Sequence, residues 1–155
     1  MLQQRREPSR KEPSARTLRA LEQRVHRLIN EQRQRVQLPP LAWHEDVARA
    51  ARDHSKNMAE RNFFDHEDPR LGNVDQRLNR FRIPWRACGE NIFMLSGYEN
   101  PAQVAVHGWM ESPEHRANIL HKEFTHAGVG VFYRSRDRYF YLTQIFIRTP
   151  DGTKR

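Results

Sequence analysis

The stretch WMESPEHRANIL, residues 109–120, decides how the second half of the chain folds. Ser112 and Pro113 form a helix-start signal, because serine is favoured at the N-cap and proline at the first helical position. One helix should therefore end near Glu111, and another should begin at Pro113 and continue to the end of the stretch. His115 then occupies the third helical position, where the positive end of the helix dipole disfavours protonation of its imidazole.

Helices should also fill most of the chain before this stretch. Apolar residues recur at helical spacing on one face, and polar and basic residues occupy the other. The first helix should end before Pro39 and Pro40, because proline restricts the residue that precedes it. Residues 41–43 form a short apolar lead-in to the second helix, which should end near residue 61. The four helices are expected to begin at Arg16, at about residue 44, at Asn73 and at Asn100.

The last third of the chain has the pattern of a β-hairpin. Residues 126–134 contain alternating apolar positions, residues 138–148 are rich in aromatic and β-branched side chains, and residues 135–137 form the turn. A further short strand is expected around Asn91. Because helices come first and the last strands pair as a hairpin, the order favours an α+β fold over a doubly wound parallel sheet.

The charge of the chain is concentrated at its beginning. The 155 residues suit one domain with a substantial core, and the formal net charge is +8 at pH 7. Residues 1–38 contain ten Lys or Arg and four Asp or Glu, whereas the remainder is nearly neutral. This distribution argues against a nucleic-acid-binding surface over the whole domain. We expect a basic disordered tail over residues 1–15, one domain over 16–149, and a C-terminal tail over 150–155.

The sequence also restricts disulfide bonding and membrane insertion. Cys88 is the single cysteine, so no intrachain disulfide can form. No run of 18 apolar residues is present, which predicts no membrane-spanning helix. The first residues lack an apolar stretch after their basic charges, so no signal peptide is visible in this chain. The compartment stays open on this basis: the protein remains inside the cell, or a signal has been removed or was never included in this sequence.

Seven groups of short motifs occur along the chain in a fixed order. They are LIN at 28–30 with LAW at 41–43, His54-Ser55 with Met58, NFFDH at 62–66, GENI at 89–92, WMESPEHRANIL at 109–120, GVGV at 128–131 and YLTQIF at 141–146. The chain therefore resembles compact bacterial members of the CAP, or SCP, family, named after cysteine-rich secretory, antigen 5 and pathogenesis-related proteins. The resemblance covers about residues 20–147. It implies an α-β-α sandwich with a small central, mostly antiparallel sheet and a cleft lined by histidine and acidic side chains.

The resemblance assigns residues to that cleft one at a time. His66 matches the first cleft histidine of the family, and Glu90 matches the glutamate of its Gly-Glu-Asn motif. Plant and animal members have a second glutamate where this chain has Ser112, directly after Glu111. They have a second histidine where this chain has Tyr141. The four-residue set of those members is therefore not intact in this chain.

In the bacterial pattern the second cleft histidine lies one turn after Ser112, and here it is His115. With His66 and Glu90, it forms a set typical of a transition-metal site with open positions. Glu90 is expected to orient a histidine, and capping of backbone amides by its carboxylate is the alternative. The long sequence spacing between His66, Glu90 and His115 is by itself only weak evidence for a metal site. A zinc-like divalent metal held by His66 and His115 therefore rests on the resemblance, and no cofactor is required.

Other candidate residues favour structural roles. Cys88 is expected to be a small buried apolar residue rather than a nucleophile. His54 lies on an alanine-rich helix face and should be packed and hydrogen-bonded, whereas His121 and His126 should lie at the surface. The two phenylalanines before His66 are expected to pack inward and aim its loop at the edge of the cleft.

These residues are consistent with two kinds of cleft function. The first is a monomeric, extracytoplasmic binding module that holds a small lipid-like or peptide-like ligand and is non-enzymatic or weakly enzymatic. The alternative is a metal-assisted hydrolase that uses His66, Glu90 and His115, with a bound water as the nucleophile. The family resemblance implies a secreted or extracytoplasmic location.

A third function would not use the cleft at all. The basic N-terminal arm would bind a polyanion or an anionic surface, and the protein would act through that interaction. If the arm does not carry this binding, the basic face of the first helix is the next candidate. That face is expected to comprise Arg19, Arg24, Arg27, Arg33 and Arg35.

Overall fold

The computed structural model describes residues 12–151 of the chain. Its elements are α1 (Ala15–Arg35), β1 (Ala42–Trp43), α2 (Glu45–Arg61), α3 (Val74–Arg80), β2 (Ala87–Leu95), α4 (Pro101–Met110), α5 (Pro113–Ile119), β3 (His126–Arg134) and β4 (Tyr139–Arg148). The expected tails fall largely on residues 1–11 and 152–155, which lie outside the described residues, so the domain limits stay predictions. In the described part, no helix is long and apolar enough to span a bilayer.

The strands form one mixed sheet in the order β1-β3-β4-β2. β4 pairs antiparallel with both β3 and β2, and β1 pairs in parallel with the start of β3. The predicted helices and the C-terminal hairpin are confirmed, with ends that differ from the expected ones by a few residues. The expected α-β-α sandwich with a small, mostly antiparallel sheet is likewise confirmed.

The lead-in at residues 41–43 was predicted wrongly. Ala42 and Trp43 form a strand that pairs with His126 and Ala127 of β3. Two residues are too few to display a strand period, and the partner lies far along the chain. The expectation of a surface position for His126 is also wrong: this residue is 4% exposed, because it lies at the covered start of β3.

The two faces of the sheet carry different helices. α2 crosses β3 and β4 on one face, where Ala51 and Ile145 belong to one apolar cluster. α1, α4 and α5 cover the other face, where Trp109 and Phe146 are buried. β3 and α2 approach each other closely at Gly130: a Cβ atom on this residue would lie 2.0 Å from the backbone nitrogen of Arg52. Only glycine leaves room for α2 at this distance.

Two arginines of α1 turn inward, which alters the expected basic face of that helix. Arg19 contacts the buried carboxylate of Glu22, and Glu22 also accepts a hydrogen bond from the backbone nitrogen of Val131. Arg33 is 1% exposed and donates hydrogen bonds to the carbonyl oxygens of Ile119 and His121. The assignment of Arg33 to an exposed basic face is therefore wrong, because its long side chain reaches carbonyl groups at the end of α5.

Candidate functional site

The candidate site lies on β2, which is an edge strand of the sheet. Successive side chains of a strand point to opposite faces, so Glu90 and Asn91 meet different layers. The Glu90 side chain contacts His66 in the loop after α2 and Arg77 of α3. The Asn91 side chain contacts the backbone of α5 at His115. Elements from both layers therefore meet at this edge of the sheet.

The Glu90 carboxylate is held between a histidine and an arginine. Its Oε1 atom accepts hydrogen bonds from His66 Nδ1 at 2.8 Å and from Arg77 Nη2 at 2.9 Å, and its Oε2 atom lies 2.9 Å from Arg77 Nη1. Burial alone would raise the pKa of the Glu90 carboxyl. The hydrogen bond from His66 and the charge of Arg77 outweigh burial, so the pKa is lowered. Glu90 is therefore ionised, and its carboxylate binds both His66 and Arg77.

His66 is fixed at one ring nitrogen and open at the other. Because the carboxylate of Glu90 can only accept a hydrogen bond, His66 Nδ1 donates, and Nε2 is the ring nitrogen left to meet a ligand. The side chain of His66 is 48% exposed. The hydrogen bond to Glu90 raises the pKa of His66 and outweighs the opposing effect of burial. This ring is therefore biased towards the protonated, hydrogen-donating form.

The loop that carries His66 is held from two sides. Arg77 Nη2 donates to the backbone oxygen of His66 at 2.7 Å, and His54 Nε2 donates to that of Asp65 at 2.9 Å. The expectation that His54 is packed and hydrogen-bonded is confirmed. The expectation that Phe64 packs inward is wrong, because this residue is 47% exposed.

Arg77 is the site residue that the sequence analysis missed. It is 2% exposed, and its Nε atom also donates to the backbone oxygen of Gly72. One side chain thus joins α3, the loop of His66 and the edge strand. The available signal was its position on α3, between the inward-facing residues Val74 and Leu78, where a charged side chain has to find buried partners.

His115 occupies the third position of α5, as expected. Its Nδ1 atom lies 2.8 Å from the Ser112 hydroxyl oxygen, so Nε2 is the nitrogen left for a ligand. Burial lowers the pKa of His115, the charge of His66 lowers it further, and Glu114 opposes both. The charges of the two imidazoles therefore interact, and their pKa values are shifted in opposite directions, upward for His66 and downward for His115.

α5 is attached to the open edge of β2 by amide side chains. Asn91 Nδ2 donates to the backbone oxygen of His115 at 3.0 Å, and Asn118 Nδ2 donates to that of Glu90 at 3.2 Å. Trp109 Nε1 donates to the backbone oxygen of Ile92 at 2.9 Å. Asn118 and Trp109 thus satisfy carbonyl groups that an edge strand would otherwise expose. The same contacts hold the backbone of His115 against the strand that carries Glu90.

The remaining expected neighbours are placed less centrally. Glu111 has a side chain that is 70% exposed and lies 3.7 Å from His107. Tyr141 is 2% exposed and packs with Met58 and Ile92, on the sheet face of Glu90, and burial raises the pKa of its hydroxyl. Tyr141 therefore acts as a core residue in the place where eukaryotic members carry a histidine.

Two residues that the sequence analysis assigned to structural or surface roles agree with them only in part. Cys88 is half-buried, and burial raises the pKa of its thiol to about 11, which disfavours the nucleophilic thiolate. His121 is exposed, as expected.

The side chains at this edge offer few ligands for a metal ion. Within residues 12–151, no group of three or more His, Cys, Asp or Glu side chains is arranged to hold one. Both oxygens of Glu90 already face Arg77 or His66. These residues therefore do not fit a closed structural zinc site, which takes four protein ligands. The largest set they offer is the two imidazoles of His66 and His115, with Glu90 behind His66.

An α-β-α sandwich in which a carboxylate on the edge strand holds a loop histidine is the arrangement that the family resemblance implies. The sequence profile of the cysteine-rich secretory protein family, or CAP family, matches residues 26–146. The chain therefore belongs to this family.

Three relatives illustrate the similarity. The uncharacterized protein YkwD of Bacillus subtilis (strain 168) is 40% identical over 111 residues, which are 72% of this chain and 42% of YkwD. The uncharacterized membrane protein YlbC of the same strain is 36% identical over 127 residues, which are 82% of this chain and 34% of YlbC. The crystal structure of an extracellular SCP-domain protein from Bacillus anthracis str. Ames has a TM-score of 0.77 and 34% identity, covering 90% of this chain and 45% of that one. The chain thus spans less than half the length of each relative.

Proposed function

We propose that this domain is a monomeric, extracytoplasmic binding module whose cleft, formed by His66, Glu90 and His115, holds the polar end of a small ligand. The single observation that carries the proposal is the fixed His66–Glu90 pair, in which Glu90 on the edge strand binds His66 Nδ1 and leaves Nε2 of this half-exposed side chain for a ligand. The extracellular Bacillus anthracis relative supports the location.

The two imidazoles favour a ligand with an acidic end. The raised pKa of His66 makes it a donor and partial cation, whereas the lowered pKa of His115 keeps it a neutral acceptor or donor. A carboxylate meets these requirements, and it occurs both in fatty acids and at peptide C-termini. The exposed ring of Phe64, two residues before His66, offers an apolar contact for the rest of such a ligand. Lipid-like and peptide-like ligands therefore share one recognition chemistry here.

The hydrolase alternative is less well supported by the same contacts. A metal-assisted hydrolase would need a general base near its metal-bound water. The lowered pKa of Glu90 makes it a weak base, and its oxygens are engaged by Arg77 and His66. Cys88 is unsuited as a nucleophile because the pKa of its thiol is raised to about 11. We therefore propose that the domain binds its ligand without transforming it.

The test is a set of NMR titrations of the full chain with decanoate and trialanine, alongside methyl decanoate and trialanine amide. We expect the acidic probes to shift resonances of His66 and His115, and the neutral analogues to have at least tenfold weaker effects. His66→Gln should weaken binding of the acidic probes, whereas His121→Gln, an exposed histidine outside the cleft, should not. Size-exclusion chromatography should show a monomer.

Two results would contradict the proposal. The first is equal binding of acidic and neutral probes. The second is a response confined to the groove between α1 and α4, a cavity of about 550 Å³ lined by residues that include Leu21, Tyr98 and Phe140. Hydrolysis of an ester or peptide probe that stops with a chelator would instead support the metal-assisted alternative.

A further inference from the structure

The outer face of α1 carries a row of exposed arginines. Arg16, Arg24, Arg27 and Arg35 are all exposed, and together they define what we call the α1 stripe. At 100° per residue the four side chains fall within an arc of about 100°, and at 1.5 Å per residue they extend over about 29 Å. Glu31 is the single exposed acidic residue of α1. The stripe is therefore a narrow, straight and mainly positive surface.

Within the part of the chain that the structure describes, Glu31 is the one acidic residue on the exposed face of α1 that offsets the charge of the stripe. The second acidic residue of α1, Glu22, is buried and paired with Arg19 and Arg52. Among residues 12–151, no ion pair engages the four stripe arginines. The first turn of α1 contains no acidic residue. These arginines are thus available to an external anion.

The composition of the face restricts the kind of partner. The apolar side of α1 is used inside the protein, where Val25 and Ile29 are fully buried. The exposed positions between the arginines are small or polar, as at Ala20, Gln23 and Gln34. A helix that inserts into a membrane surface needs a free apolar face, which α1 lacks. No aromatic side chain lies on the exposed face to stack on nucleic-acid bases.

We propose that the α1 stripe is a docking surface for a linear phosphodiester polymer, read by its repeated charge and not by bases or by a lipid surface. The elongated arrangement of the stripe suits this partner, because a row of separated cations along a helix can follow a row of phosphates along an extended chain. The proposal is independent of the cleft, and it places the interaction on folded residues rather than on the N-terminal arm.

The test measures binding of the full chain to fluorescent poly(glycerol phosphate), to oligothymidylate and to vesicles containing phosphatidylglycerol, over a range of salt concentrations. Four phosphate contacts predict a slope of about −3 for log K against log salt. The stripe variant Arg24→Gln/Arg27→Gln should roughly halve this slope and weaken polymer binding roughly thirtyfold at low salt. Glu31→Gln, which removes the exposed acidic residue of α1, should strengthen polymer binding.

Matched variants separate the stripe from net charge and from the arm. Arg80→Gln/Arg82→Gln removes two exposed arginines from the α3 region and should leave polymer affinity within about twofold. A variant with glutamine at Arg5, Arg6, Arg10 and Lys11 tests the arm. The inference is overturned if the α3-region variant weakens binding as much as the stripe variant, or if only the arm variant weakens it. It is also overturned if vesicles bind more tightly than the polymers, or if oligothymidylate binds more than tenfold tighter than poly(glycerol phosphate).

Discussion

Arg77 and Glu90 form a buried ion pair that fastens α3 to the edge strand β2, with Arg77 Nη2 2.9 Å from Glu90 Oε1 and Nη1 2.9 Å from Oε2. The same guanidinium donates to the backbone oxygen of His66, whose ring donates to Glu90. Arg77 therefore supports His66 twice, through its backbone and through its carboxylate partner. In a buried pair the loss of one member costs more than the pair contributes, because the other charge is left without compensation.

Replacing Arg77 by methionine should lower the free energy of unfolding by about 3–5 kcal/mol, since the Glu90 carboxylate would be left buried and unpaired. Urea denaturation measures the change. Arg80→Met, on an exposed residue of the same helix, is the matched control and should cost less than about 0.5 kcal/mol. The double variant Arg77→Met/Glu90→Leu should recover much of the loss. A loss below about 1 kcal/mol for Arg77→Met would show that the buried pair does not have this role.

His66 and His115 should respond to pH in opposite directions. The pKa of His66 is raised by Glu90, so the contribution of His66 to stability is full below its unfolded pKa and is lost as pH rises through the folded value. The stability advantage of the natural chain over His66→Gln should therefore shrink between about pH 5.5 and about pH 9. The pKa of His115 is lowered by burial, so its contribution is lost as pH falls through the folded value. The advantage over His115→Gln should therefore grow as pH rises towards the ordinary histidine pKa of about 6.5 and level off above it.

Ring-resolved NMR titration gives the direct check on both residues. His66 should titrate above the ordinary histidine pKa of about 6.5, and His115 below it. In Glu90→Gln the pKa of His66 should fall, because the hydrogen bond to a carboxylate and its charge are removed. Equal pKa values for the two rings in the natural chain would contradict this account of the cleft.

The fold could be predicted from the sequence to the extent that its signals are local. Proline and cap residues mark the starts of α4 and α5, and the strand pattern marks the hairpin β3–β4. β1 could not be recognised, because its two residues become a strand only through pairing with the distant start of β3. The same distant pairing covers His126, whose sequence neighbours give no sign of burial.

The contacts of the site are harder to predict than the fold. His66 and Glu90 are 24 residues apart, and only the family resemblance grouped them before their 2.8 Å contact was seen. Arg77 and Arg33 were missed as buried residues because a periodic pattern treats arginine as exposed. Both are buried by long-range hydrogen bonds to backbone carbonyl groups, and residue type alone does not reveal such partners.

We predict that a divalent metal binds weakly to this protein and is not needed for folding. Apolar clusters fill both sheet faces, and within residues 12–151 no group of three or more His, Cys, Asp or Glu side chains is arranged to hold a metal ion. Thermal melts should show the same cooperative transition with and without EDTA. Zn²⁺ or Ni²⁺ should raise Tm by a small amount that depends on concentration. His115→Ala should remove this shift, whereas His121→Ala should retain it. Loss of the transition in EDTA would contradict the prediction.

The end of α1 offers a stabilising substitution. Gln37 has a φ of 63° in a Schellman motif, in which the backbone nitrogen of Leu38 bonds to the Arg33 oxygen and that of Gln37 to the Gln34 oxygen. A left-handed conformation is unfavourable for residues with a Cβ atom, whereas glycine adopts it freely. Gln37→Gly should therefore raise the free energy of unfolding by about 0.5–1 kcal/mol, after part of the gain is offset by the greater freedom of glycine in the unfolded chain. Gln34→Gly, inside the same helix, is the matched control and should lower it by about 1 kcal/mol. Urea denaturation distinguishes the two signs, and a destabilised Gln37→Gly variant would mean that the glutamine side chain holds this helix end by contacts of its own.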